Sequence, residues 1–164
     1  DVLELRRREE RLGEGAVERY SKHVKAVMQS GESLTSGYSL ELGYPVEIVP
    51  LQNPYSLRAG GLFRARILKE GAPLAGQLVY AGFEPSGVHG NHEYEISDQH
   101  HGETGGSREH STELQARSDS DGIVEFRLSE SGLWYIRFIN MVVSDAPGID
   151  YQSNWATLTF EVRQ

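Results

Sequence analysis

Residues 123–138 read Ile-Val-Glu-Phe-Arg-Leu-Ser-Glu-Ser-Gly-Leu-Trp-Tyr-Ile-Arg-Phe. Val124, Phe126 and Leu128 alternate with Glu125 and Arg127, and beyond the break at Gly132 the residues Trp134, Ile136 and Phe138 alternate with Tyr135 and Arg137. Successive side chains of an extended chain point to opposite faces, so a period of two buries one row and wets the other. The segment therefore predicts two strands, each with one face in a core.

The same period recurs on both sides. Upstream, Val46-Glu47-Ile48-Val49 ends at the Asn53-Pro54 turn, and Phe63, Ala65 and Ile67 alternate with Arg64 and Arg66. The Lys69-Glu70-Gly71 turn follows, and then a strand from Gln77 to Phe83 with Val79, Ala81 and Phe83 on one face. Downstream, Ala156, Leu158, Phe160 and Val162 alternate with Thr157, Thr159 and Glu161. Six or seven short alternating strands punctuated by Gly, Pro and Asp-Gly predict an all-β protein, an antiparallel β-sandwich of Ig-like or prealbumin-like type. No long segment of period 3.6 follows Tyr44, which argues against helical and doubly wound folds. Trp134 and Trp155 are expected as core or core-rim aromatics.

Ahead of this pattern the reading changes. Val2 to Arg11 is rich in Leu, Glu and Arg, with Glu4 and Arg8 at i,i+4 spacing, and predicts a short solvated helix. Arg19 to Gln29 fits either a helical face or strand alternation, and a strand after Tyr20 is preferred. Ser30 to Gly43, rich in Gly and Ser, reads as a linker. The expected organisation is an N-terminal segment over 1–43, a β-sandwich domain over 44–164, and a long loop over 84–111 within it.

Composition narrows function. A chain of 164 residues builds one domain with a sizeable core. Sixteen basic and twenty-four acidic residues give a formal charge of −8, with no basic stripe beyond Arg6, Arg7, Arg8 and Arg11. Nucleic acid is excluded as a partner on that charge, because phosphate binding needs a positive surface. The absence of cysteine removes disulfides, thiolate metal sites and cysteine nucleophiles. No apolar run is long enough to predict a membrane span. The sequence starts Asp-Val-Leu without an initiator Met, which fits either a processed protein or an excised piece of a longer one, and leaves room for a signal peptide that has been removed.

Several segments carry a resemblance. Glu18-Arg19-Tyr20-Ser21-Lys22, the stretch from Val46 to Tyr55, Gly71-Ala72-Pro73-Leu74-Ala75-Gly76, Asp119-Ser120-Asp121-Gly122, Gly132-Leu133-Trp134 and Asn154 to Glu161 follow one another in order. Together they resemble the C-terminal part of the bacterial domain of unknown function 4198 family, often described as NikM-like, a periplasmic component of nickel or cobalt uptake. The resemblance covers the chain from about Val17. It implies an exported, non-catalytic Ig-like or prealbumin-like module, preceded in other members by a further domain. The Gly-Ala-Pro-Leu-Ala-Gly and Asp-Ser-Asp-Gly pieces are similar to any carboxypeptidase-regulatory-like sandwich.

Five of the six histidines lie close together: His89, His92, His100, His101 and His110, interspersed with Glu93, Glu95, Asp98, Glu103 and Glu109. Imidazole and carboxylate are ligands of divalent metals, and nickel, cobalt, zinc or copper would accept three or four such groups. The competing reading is a solvated polar loop, since a His-rich composition is not a ligand-spacing signature. His23 stands apart and is expected as a surface or packing residue.

Catalytic templates do not fit. His92-Glu93 opens like a zincin motif, but Ile96 occupies the second histidine position. His-x-His and Gly-x-Ser-x-Gly are both absent. Asp119-Ser120-Asp121-Gly122 resembles the start of a calcium loop, but it lacks the later ligands and is expected as a tight hairpin turn. Tyr94, Tyr151 and Trp155 are candidates for an aromatic platform, against the reading of rim aromatics with wet polar ends. The expected function is a non-enzymatic envelope module that binds a divalent metal through its histidine loop, losing it below about pH 6 as imidazoles protonate. The alternative is a carbohydrate-binding, protein-binding or structural sandwich. The partners to consider are thus a metal ion, an envelope transport protein or a glycan.

Overall fold

The computed structural model describes residues 15–85 and 113–164. They form nine strands: β1 Glu18–Ala26, β2 Val46–Pro50, β3 Leu62–Lys69, β4 Ala72–Pro73, β5 Leu78–Pro85, β6 Leu114–Arg117, β7 Ile123–Arg127, β8 Gly132–Val143 and β9 Tyr151–Val162. One sheet has the order β1-β9-β8-β5-β6. In the other, β3 pairs with β2 on one side, and with β7 and then β4 along its other side. Every pairing between these strands is antiparallel except β1 with β9.

The two sheets meet across one core made by the alternation seen in the sequence. Ile48, Phe63, Ala65, Ile67, Val124 and Phe126 face Val79, Ala81, Trp134, Ile136, Phe138, Leu158 and Phe160 in one buried cluster. Phe63 stacks on Phe160 at 4.6 Å and Phe83 on Trp134 at 5.0 Å between ring centroids. Trp134 is fully buried, and its indole N–H donates to the Glu130 carbonyl at 3.0 Å, so its one polar atom is satisfied. Trp155 behaves differently: it lies half-buried on the face of β9 that points away from the core.

Three expectations about organisation change. The boundary at 43/44 is not an edge of the fold, because β1 pairs with β9 over its whole length and completes the larger sheet. The ambiguous stretch after Tyr20 is thus strand, and its place in the sheet comes from a partner more than a hundred residues away, which local periodicity cannot reveal. The 30–43 stretch is more than a linker: it holds a short 3-10 turn at Ser36–Ser39 and then packs on Glu47. Finally, Asp119 to Gly122 is a tight turn but not a hairpin, since β6 and β7 belong to different sheets. The helix expected at Val2 to Arg11 falls outside the described residues. Among the described residues no helix is long and apolar enough to cross a membrane.

The turn at Glu70-Gly71 shows why β3 and β4 close so tightly. Both residues have positive φ, 52° and 76°, as a type I′ connection requires to match the twist of its strands.

Candidate functional site

The stretch between β5 and β6 carries the five clustered histidines, and its feet are well defined. The two strands are antiparallel neighbours, with Ala81 paired to Leu114 and Leu78 to Arg117. The chain therefore leaves the sheet at Pro85 and re-enters it at Leu114 on the adjoining strand, with Glu113 just ahead of it. His89, His92, His100, His101 and His110 all lie outside the described residues, as does Tyr94.

Glu113, at the returning foot, is held on the outer face of the larger sheet. Its carboxylate accepts from Arg137 Nε at 2.9 Å and Arg137 Nη2 at 2.8 Å, a bidentate pairing, and the Tyr135 hydroxyl also donates to it at 3.1 Å. The Arg137 guanidinium lies over the Tyr80 ring at 4.8 Å from its centroid. Alternation along β8 sets Tyr135 and Arg137 on one face, and Tyr80 pairs directly with Arg137 across the strands. Gly82 is what lets Tyr135 lie flat: a Cβ at that position would sit 2.4 Å from the tyrosine oxygen. Burial raises the Tyr135 pKa above the usual phenol value, and the hydrogen bond to Glu113 and the nearby negative charge push it the same way, against a lowering by Arg137. The fork geometry is favourable but half-exposed, so the pair contributes about 1 kcal/mol.

A second polar construction was not foreseen. Lys25 reaches from β1 of the larger sheet to β2 of the smaller one, donating to the Leu40 carbonyl at 2.8 Å and the Ile48 carbonyl at 3.3 Å and pairing with the Glu47 carboxylate. Glu47 is buried on β2, and its oxygens also accept from the backbone N–H of Leu42 at 2.8 Å and of Gly43 at 3.2 Å. All the members are paired, as burial of charge demands. Nothing in the local sequence distinguishes Glu47 from an ordinary solvent-facing residue of an alternating strand; only the tertiary fold places loop 35–43 over it.

The remaining candidates are separated by the structure. His23 Nε2 lies 3.2 Å from Asn154 Oδ1, and its ring packs on Tyr44 at 5.3 Å, as a packing residue would. Asp119 Oδ1 accepts from the backbone N–H of Asp121 at 2.9 Å and of Ile123 at 2.8 Å, so the carboxylate organises the turn. Tyr151 is buried, whereas Trp155 donates to Ser153 Oγ at 3.0 Å and lies near the Lys22 ammonium, 5.5 Å from the ring centroid. Among the described residues no group of three or more His, Asp or Glu side chains could hold a metal ion.

Comparison with known proteins adds a family. The profile of the Domain of unknown function (DUF4198) family matches residues 5–141. The chain belongs to this family. The DUF4198 match starts ahead of Val17 and ends before the Asn154 to Glu161 segment that contributed to the resemblance. No curated protein and no solved structure matches the chain.

Proposed function

We propose that this DUF4198 chain is a non-enzymatic module of the bacterial cell envelope, an Ig-like or prealbumin-like sandwich that binds a divalent transition metal through the histidines of its 84–111 loop. In the NikM-like sense of the family, the bound nickel or cobalt ion would be cargo for an envelope transport protein. Zinc and copper suit the same ligands.

The observation that carries this reading is the anchoring of the two feet. Five of six histidines lie between strands paired side by side, and the returning foot is tied down at Glu113 by Arg137 and Tyr135. A framework that holds both ends of a ligand-rich segment lowers the entropy lost when its side chains gather on one ion. Neutral imidazoles would be the ligands, and the interspersed carboxylates would attract the cation.

Calorimetric titration with nickel and with zinc tests it. The native chain is expected to bind in the micromolar range, with His89→Ala/His92→Ala losing that binding, and with the native chain losing it below about pH 6. Lack of saturable micromolar binding by either metal ends the metal reading. It would favour a carbohydrate- or protein-binding module, for which the half-exposed Trp155 on the outer sheet face is the supporting observation.

A further inference from the structure

We propose that the edge of β1 with which no described strand pairs is a docking site for an extended acidic peptide segment of another protein, which joins the larger sheet as an additional strand. The argument starts from the hydrogen-bond pattern. In a parallel ladder alternate residues direct both N–H and C=O to the same neighbour. Val17 accepts from Tyr151 N–H at 3.2 Å, and Val27 N–H donates to Thr159 O at 2.9 Å, which assigns the odd-numbered residues to β9. Tyr20, Lys22, Val24 and Ala26 therefore turn their backbone N–H and C=O to the opposite side, where among the described residues no strand pairs with them. Such a row is a template for another strand.

The usual devices that blunt an edge are largely missing. β1 runs nine residues in unbroken register, with no proline and no bulge. The exception is charge at the exposed Glu18, Arg19 and Lys22; the Glu18 carboxylate already accepts from the Ser153 hydroxyl, which leaves the positive charge of Arg19 and Lys22. That charge selects the occupant. Antiparallel self-pairing centred on Lys22 would set Lys22 against its own copy, like charge opposite like charge. An incoming strand with Asp or Glu opposite Arg19 and Lys22 meets the reverse situation. Lys25 plays no part in this, because Glu47 already neutralises it.

A groove beside the end of β1 supplies a second element of recognition. It encloses about 240 Å³ between Ala26, Val27 and Met28 on one side and Tyr38, Leu40 and Leu42 on the other. Met28 and Leu40 are 86% and 60% exposed, an arrangement that stays costly until an apolar side chain covers it. The fitting ligand is thus an extended segment with alternating β-branched residues, acidic residues opposite Arg19 and Lys22, and one large apolar side chain at the groove.

The test is selection from a random dodecapeptide display library on the immobilised full chain, followed by fluorescence anisotropy with the best synthetic peptide. Enrichment of acidic, alternating sequences carrying one large apolar residue is expected. Val24→Pro removes an edge N–H without touching the β9 ladder, so it should weaken the peptide by about tenfold or more with an unchanged melting curve. Lys22→Glu should turn the selection from acidic to basic peptides, a readout that stands even if the proline variant unfolds. The proposal is overturned by the absence of any enriched family, by selected peptides that bind both variants as well as the native chain, or by sedimentation of the native chain as a dimer that Val24→Pro dissociates, which would make a second copy the occupant.

Discussion

At the scale of single residues, Glu47 has the largest expected effect on stability. Replacing it with Ala leaves the Lys25 ammonium in a site where its side chain is only 11% exposed, with two carbonyls and no counter-charge. Breaking a buried pair from one side costs about 3–5 kcal/mol. Urea denaturation should show that loss for Glu47→Ala and a much smaller one for Lys25→Met/Glu47→Leu, in which no charge is stranded. Tyr135 makes a different prediction, in alkaline solution. Its folded-state pKa is raised, so the native state keeps the phenolic proton more firmly than the unfolded chain does. The corresponding stability is complete below the ordinary phenol value of about 10 and is lost as pH climbs through the higher folded value. Denaturation at pH 8 and at pH 10.5 should therefore give a steeper fall for the native chain than for Tyr135→Phe. Equal falls would remove the burial and Glu113 contact as causes. Neither residue could be singled out from the sequence, because Glu47 and Tyr135 occupy the polar rows of alternating strands and their environments come from loop 35–43 and from Glu113, distant along the chain.

At the scale of elements, the Glu70-Gly71 turn is locally right in shape and partly wrong in residue. A non-glycine residue in the left-handed region is strained unless its side chain tolerates it, and Asn does so better than Glu. Glu70→Asn is expected to stabilise the protein by about 0.5–1 kcal/mol, read as a higher urea midpoint with an unchanged slope. The strands themselves were legible wherever one face is buried: β3, β5, β7, β8 and β9 coincide with the alternating apolar rows, because the pleat enforces a period of two. β1 was less legible. Its inner row ends in His23 and Lys25, and the features that define it as a strand are its pairing with β9 and the reach of Lys25 to Glu47. Likewise the Asp-Gly turn was recognisable as a turn, but whether it returns the chain to the same sheet or carries it to the other depends on the whole core.

At the scale of the molecule, the framework and the histidine stretch are expected to be separable in their energetics. Among the described residues the core cluster draws on strands of both sheets, and the strands that bracket the stretch are already paired at Ala81 and Leu114. Replacing 86–112 with a short Gly-Ser connection should keep the β circular-dichroism spectrum and cooperative melting, with a melting temperature within a few degrees of the native chain, since loop length enters stability only logarithmically. Metal binding should disappear in the same protein. A shortened chain that retained nickel and zinc affinity would place the ligands elsewhere. The candidate metal residues were legible as chemistry but not as geometry, because clustering of His in sequence does not specify which side chains converge.

The parallel pairing of β1 with β9 also shapes how this protein comes into being. Val17 bonds to Asp150, 133 positions along the chain, so among the described strands of the larger sheet β1, made first, has to wait for β9, made last, before it has a neighbour. Contacts of such long sequence separation slow the search for the native state. Until β9 arrives, both edges of β1 lie open to unintended strands, which is the interval in which a nascent chain of this topology is most exposed to aggregation and gains most from a chaperone.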